Sequence, residues 1–524
     1  MKSKLAVLLR MQFLGSFGIN KMLHSKKKGA LAGLGFSAAG IVLLFALVEA
    51  LICLYAWMAA QLAAGAMMQG AYFPVVFLLV AIVTFALTVA NVNGKVFGFR
   101  DYEMTVSLPV STAQLASAKI LFVYLENLAA SACILLPFWI FGGAMMPFSV
   151  ETHLCVLLVL FFVPLVPSAL AVFVGALLAV VTARMKRKEL VQTIFFILVI
   201  VAACLLPVLT SGTGDGTAIE SPLELPAWLR APFEKFWAAC VFAAASAAVF
   251  SLPCVFIGKN FARLNTMILS RKSSSAYKKK ELKTSGKVRA LFRKEIKALF
   301  SCPEYSINAL TGTIIAVLVP VILIVTVRGE FSDLRAAVFA NSALIAPYFT
   351  AFMLFSSLTP TTYCSISLEG KSLWILRSAP LDGGQVLLSK MLVHLAAETL
   401  PGVLVAAVFG GVLGFGFFYV LSSVLCVAAM SAALGGFALL LNLRFPVLEW
   451  EKISVPVKQS RSCLFSMLVS FAGLGLVLLI GALCASVNAW LGAVMMPIFC
   501  FACLFLSLGL LSACGRKLYD RLLR

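Results

Sequence analysis

The chain has 524 residues, 62% of them hydrophobic, with a mean hydropathy of +1.04 and a net charge of +21. The apolar share is well above the roughly one half of a soluble domain, and many runs exceed the ~18 apolar residues that mark a spanning helix, so a soluble globular protein is excluded. The runs do not alternate apolar and polar, which excludes a β-barrel. The positive charge is read as topology and not as nucleic-acid affinity, because cytoplasmic loops of membrane proteins collect Lys and Arg.

In chain order, residues 2–24 read as a helix lying in the membrane interface. Within KLAVLLRMQFLGSF (4–17), Leu5, Leu8, Leu9, Phe13 and Phe17 align on one face. Lys2, Lys4 and Arg10 punctuate it and no small-residue cleavage site follows, so it is not a cleavable signal. Six spans are expected near 30–57, 71–97, 117–143, 153–182, 190–211 and 236–258. Residues 259–286, with SRKSSSAYKKKELKTSG, read as a basic cytoplasmic linker. A second amphipathic interfacial helix follows at 287–300, KVRALFRKEIKALF. Val288, Leu291, Phe292, Ile296, Leu299 and Phe300 take one face; Arg289, Arg293, Lys294 and Lys297 take the other. Six more spans are expected near 306–328, 336–362, 388–412, 417–442, 462–487 and 491–513.

The fold class is therefore an all-α polytopic membrane protein of about twelve spans in two tandem six-helix halves, 1–258 and 287–524, each opened by an interfacial helix. With both termini cytoplasmic, all but four of the 42 Lys and Arg fall on the cytoplasmic side, the four being Arg230, Lys235, Arg328 and Arg335. Nearly all of the 14 cysteines lie in apolar runs, where a free Cys packs as a small hydrophobe, and the C-x-x-C at Cys500 and Cys503 is read the same way.

One polar phrase occurs twice at equivalent places. SLPVSTAQLASAK (107–119) opens the third span and SAPLDGGQVLLSK (378–390) opens the ninth. Ser107, Pro109, Gln114, Lys119 and Leu121 correspond to Ser378, Pro380, Gln385, Lys390 and Leu392. Ser111 with Gln114, and Asp382 with Gln385, form capping boxes at the start of each span. The proline stops the preceding helix, and Lys119 and Lys390 are expected to snorkel to the interface. Capping does not account for the lead-ins FRDYEMTV (99–106) and LEGKSLWILR (368–377), which read as short exposed helices.

A charged lead-in, then S-L-P-V-S, then a span opening with a lysine resembles the permeases of type-2 ATP-binding-cassette exporters. GKSLWILRSAP in the second half looks like the same element in fused two-half members, and FPVLEWEKISVPVKQSRS (445–462) looks like their second-half loop. The second corner departs from the first, with Ala379 for Leu108 and Asp382-Gly383-Gly384 for Ser-Thr-Ala. The resemblance implies coupling helices that dock on a separate ATPase, in two copies, in a bacterial cytoplasmic membrane. The residues it points to are Asp101, Glu103, Ser107 and Pro109, with Glu369, Trp374, Arg377 and Pro380.

G-x-x-x-x-G-K-[ST] is not found. Gly370-Lys371-Ser372 comes nearest, but Ser365 holds the first glycine position. The histidines are scattered and no metal or nucleophile constellation stands out, so the chain is expected to be no enzyme and to hold no cofactor or metal. Within the spans, Glu126, Asn127, His394 and Glu398 are candidates for lining a translocation path, with a structural interhelical bond as the other reading. The alternative function is a stand-alone proton-coupled secondary transporter using the intramembrane glutamates. Membrane lipid is the remaining expected partner, and the transported substrate is not written in the sequence.

Overall fold

The computed structural model describes residues 4–16, 30–65, 69–97, 102–183, 191, 194–195, 198, 227–269, 285–326, 331–450 and 453–523. No strand occurs among them. Eleven helical segments are long and apolar enough to cross a membrane, by length and composition. The protein is thus an all-α membrane protein. The span expected at 190–211 falls almost wholly outside the described residues.

The chain divides into two compact units. One comprises Met1–Phe36, Phe45–Ala203 and Leu209–Tyr277; the other comprises Ser37–Leu44, Cys204–Val208 and Lys278–Arg524. In the first unit, helix Lys4–Ser16 packs on helix Thr112–Met145, with Leu8 buried and Phe13 edge-on to Phe122 at 5.2 Å. Helices Gln69–Lys95, Val150–Phe162, Leu165–Ala183, Ala227–Glu234 and Phe236–Leu269 also belong to it, as does helix Ala30–Gly65 outside Ser37–Leu44. Long helix Phe236–Leu269 ends the unit's described residues. It runs through Leu269, past residue 258, so the start of the expected linker is helical. The outward faces carry exposed Leu170, Leu177 and Val181, as a lipid-facing surface must.

In the second unit, helix Lys287–Ser301 leads into Pro303–Thr326. Next comes a departure from expectation. The segment taken as one span at 336–362 is broken into helices Phe331–Ala340 and Ser342–Met353, then three 3₁₀ turns reaching Ser372. The cause lies in LFSSLTPTTYCSIS. Its hydroxyls bond mostly to other helices, Ser357 to Ser431, Thr359 to the Asn308 carbonyl and Thr362 to the Gly435 carbonyl, and Pro360 lacks an N–H and so breaks the helical ladder. Helices Gly383–His394, Leu400–Val412, Phe417–Arg444, Arg461–Val487 and Ala489–Leu510 form the rest of the bundle. Between His394 and Leu400 the helix widens into one π turn, Leu395–Thr399. Such turns concentrate at functional sites.

Candidate functional site: two proline corners and a buried charge knot

The two polar phrases fold alike, down to single hydrogen bonds. In the first, the Ser107 hydroxyl donates to the Met104 carbonyl at 2.8 Å, closing the short helix Tyr102–Val106. The chain reverses at Pro109, where the Val110 N–H donates to the Leu108 carbonyl at 2.7 Å. The Ser111 hydroxyl then accepts from the Gln114 N–H, and the Gln114 side chain accepts from the Ser111 N–H. In the second, Ser378 donates to the Ile375 carbonyl at 3.0 Å, and the Leu381 N–H donates to the Ala379 carbonyl at 2.7 Å. Asp382 and Gln385 complete the matching capping box. The first lysine of each surface helix closes its corner: Lys4 Nζ donates to the Pro109 carbonyl at 3.1 Å, and Lys287 Nζ to the Pro380 carbonyl at 2.7 Å.

The glycines that replace Thr and Ala in the second corner have a steric reason. A Cβ on Gly383 would stand 2.9 Å from the Tyr519 ring, and one on Gly384 would stand 2.7 Å from the Arg516 guanidinium. The C-terminal helix Arg516–Leu523 lies against this corner and needs the room.

Of the residues expected to present the lead-ins, Glu103 and Trp374 are exposed, Trp374 at 65%. Asp101 lies outside the described residues. Arg377 falls in helix Leu373–Ser378. Glu369 behaves differently: it is drawn inward. Lys390 Nζ contacts Glu295 Oε1 at 2.8 Å, Glu369 Oε1 at 3.1 Å and the Ser365 carbonyl at 2.9 Å. Lys294 bridges to Glu369 and lies 3.3 Å from Glu295. Lys390 is 2% exposed and Glu295 is 8% exposed. This corrects the expectation that Lys390 snorkels. Its three ammonium donors are all used inside the protein, so reaching for the interface would strand two carboxylates. The knot joins the surface helix, the last 3₁₀ turn and the following span.

Glu295 was not singled out in the sequence, although the signal was there. It stands one turn from both Leu291 and Leu299, and these three are the buried residues of their helix. Lys119, the counterpart of Lys390, donates to the Lys95 carbonyl at 2.9 Å.

A second polar hub holds the 3₁₀ turns. The Asn442 side-chain carbonyl accepts from the Ile366 and Ser367 N–H groups, and its amide donates to the Ser367 hydroxyl. The Trp450 indole donates to the Ser367 carbonyl at 2.8 Å and lies against Gly370, whose φ of +50° suits glycine.

Within the spans, Glu126 pairs with Lys95 at 2.6 Å, about one third exposed. Asn127 is buried and donates to the Thr88 and Ser168 hydroxyls. Glu398 accepts from the Thr361 N–H at 2.6 Å. His394 Nε2 lies 2.9 Å from the Ser431 carbonyl, which can only accept, so Nε2 carries a hydrogen. Nδ1 then faces Glu398 Oε2 at 3.4 Å, both side chains fully buried. The ring fits only because residue 435 is glycine; a Cβ there would be 2.2 Å from His394 Cδ2.

These features define a class, a polytopic helical membrane protein with a polar, mechanically braced corner. A family model described as "Putative ATP-binding cassette" matches residues 224–511. That is more than half of the chain, and the chain belongs to this family. Comparison with curated proteins and with solved structures gives no match.

Membership corrects several expectations. The corner motifs set the chain apart from the ATP-binding cassette, as the fused permease subunit of a type-2 exporter, whereas the family's own description is the cassette. The expectation of no enzymatic role falls on the same ground, and so does the need for a separate ATPase in two copies. The proton-coupled secondary transporter gains no support from it either.

The nearest candidate for a phosphate cradle is the turn at Gly370-Lys371-Ser372. A phosphate loop offers free backbone N–H groups after a strand. Here the Ile366 and Ser367 N–H groups are bound by Asn442, the Glu369 N–H by the Ile366 carbonyl, and Trp450 covers Gly370. The turn follows 3₁₀ structure. Among the described residues it does not fit a triphosphate.

Proposed function

We propose that the chain is an ATP-binding-cassette transport protein embedded in the membrane, and that the proline corners pass movement between its surface helices and its spans. The observation that carries this reading is the Lys390 knot. It ties the surface helix, the 3₁₀ turn and the span that opens at Asp382, so a displacement of one must move the others. A surface ion pair would contribute little, whereas a buried one resists separation because each charge left behind is uncompensated. Family membership supplies the class of machine.

Within this reading the chain is two tandem halves, 1–258 and 287–524, joined by the basic segment 259–286. Support comes from the two corners, which repeat the same serine bond, proline reversal, capping box and lysine clasp. Both termini are assigned to the cytoplasmic side of a bacterial plasma membrane, supported by the segregation of Lys and Arg. The working residues of the corners are Asp101, Glu103, Ser107, Pro109, Glu369, Trp374, Arg377 and Pro380. Glu126, Asn127, His394 and Glu398 are assigned to polar seams along the path between the spans.

The test uses membrane vesicles that carry the full chain, with Trp374→Cys labelled by a spin probe. The reading predicts a change in probe mobility with MgATP that is trapped by vanadate and lost in Lys390→Met. A probe insensitive to ATP in vesicles shown to hydrolyse it would overturn the reading.

A further inference from the structure

The helix Lys287–Ser301 has three stripes, each repeating at one-turn spacing. Leu291, Glu295 and Leu299 are buried in the protein. Arg289, Arg293 and Lys297 are exposed. Between them run Val288, Phe292 and Ile296, half-buried and apolar. A two-sided interfacial helix needs only an apolar and a polar face. The middle stripe is in excess of that, and it borders a cavity.

Val288, Arg289 and Phe292 form one wall of a groove of about 650 Å³. The other wall is Leu392, Leu395 and Ala396, where the span passes into its π turn. Its volume falls in the ~300–1,000 Å³ range of small-molecule sites. Apart from Arg289 the lining offers no polar group. A peptide segment laid there would bury backbone N–H and C=O groups without partners, which is costly at membrane depth. An alkyl chain has no such groups. The cations stand at the edge of the groove, one turn apart, where an anion would complete them. In a wall built from a membrane span, the molecule that joins an alkyl chain to an anion is a lipid.

The geometry points to a binding site for an anionic phospholipid, with one acyl chain between Phe292 and Leu392–Ala396 and the phosphate on Arg289 and Arg293. This site is separate from the charge knot, which lies on the buried stripe of the same helix. A lipid there would hold the surface helix at the depth from which the knot grips the span.

The full chain, purified in a neutral detergent, is titrated with dioleoyl phosphatidylglycerol or dioleoyl phosphatidylcholine, and bound lipid is counted by native mass spectrometry. One tight phosphatidylglycerol is expected, with phosphatidylcholine weaker. Each cation near an anionic lipid is worth about fivefold, so R289Q/R293Q should bind roughly thirtyfold more weakly. R289K/R293K should stay near the starting affinity. A396F fills the groove without touching the charges and should lose the dioleoyl lipid. Equal affinity for the two headgroups, or unchanged binding in R289Q/R293Q, would overturn the headgroup assignment. Retention in A396F, or equal binding of dihexanoyl phosphatidylglycerol, would overturn the groove. Displacement by inorganic phosphate alone would show an anion site and not a lipid site.

Discussion

Replacing Lys390 by Met keeps the volume and stem of the side chain and removes its charge and its N–H donors. The two carboxylate oxygens it bridges stand 2.8 and 3.1 Å from Nζ, which places them within about 6 Å of each other. At an effective dielectric constant of about 20, two like charges at that separation repel by roughly 3 kcal/mol. Lys294 still faces both carboxylates but is itself 42% exposed, so it offsets only part of this. Removing one partner of a buried ion pair typically costs about 3–5 kcal/mol, in the same range. A loss of that size lowers the unfolding temperature by on the order of 10 °C in a unit of this size. The assay is thermal unfolding of the detergent-solubilised full chain, followed by tryptophan fluorescence. Neutralising the carboxylates as well, in the triple variant Lys390→Met, Glu295→Gln, Glu369→Gln, removes the repulsion and should recover most of the loss. A single variant that melts within a degree of the parent would refute the argument, as would a triple variant no better than the single.

Three further expectations rest on other contacts. Gly312→Ala would drive a Cβ to 2.0 Å from the Phe355 carbonyl oxygen, where backbone must move. It should cost about 1–3 kcal/mol and be read as a lowered melting temperature, while Gly475→Ala, with nothing within 4 Å, should not. Ser111→Ala removes a cap from the Gln114 N–H and should cost about 1 kcal/mol, with Ser111→Asp restoring it. Burial pushes the Cys302 thiol up to about 11. It is therefore protonated at neutral pH, with a thiolate fraction roughly 300-fold below that of a cysteine at 8.5. Maleimide labelling of a chain whose sole cysteine is Cys302 should be slow at pH 7 and rise about tenfold per pH unit towards that value. Labelling at the rate of an exposed control cysteine would show that the thiol is not buried.

The helical membrane architecture was legible because spans write themselves as long apolar runs, and the corners because proline, a capping residue and glutamine occur at fixed offsets. The 3₁₀ turns at 354–372 were not, since hydropathy does not distinguish a helix from a hydroxyl-rich stretch whose side chains bond to neighbouring helices. The knot was half legible. Lys390 and Glu369 both stand out in the sequence, but as surface groups, because charge alone does not say which way a side chain turns. Only the alignment of Glu295 with Leu291 and Leu299 carried that information. The resemblance reached the ATP-binding cassette and chose the wrong member of it, because the corner motif is short and the matching stretch, 224–511, extends well beyond it.

The corners share a backbone design, but their surface helices differ in charge. In register with Arg10 and Arg293, Leu8 corresponds to Leu291, and both are buried. In the same register Gln12 stands where Glu295 does, and Met11 where Lys294 does. The first surface helix thus carries a neutral amide where the second carries a buried carboxylate. The pairing of Glu295 with Lys390 is therefore written in the surface helix of the second half and not in the polar phrase that the two halves share.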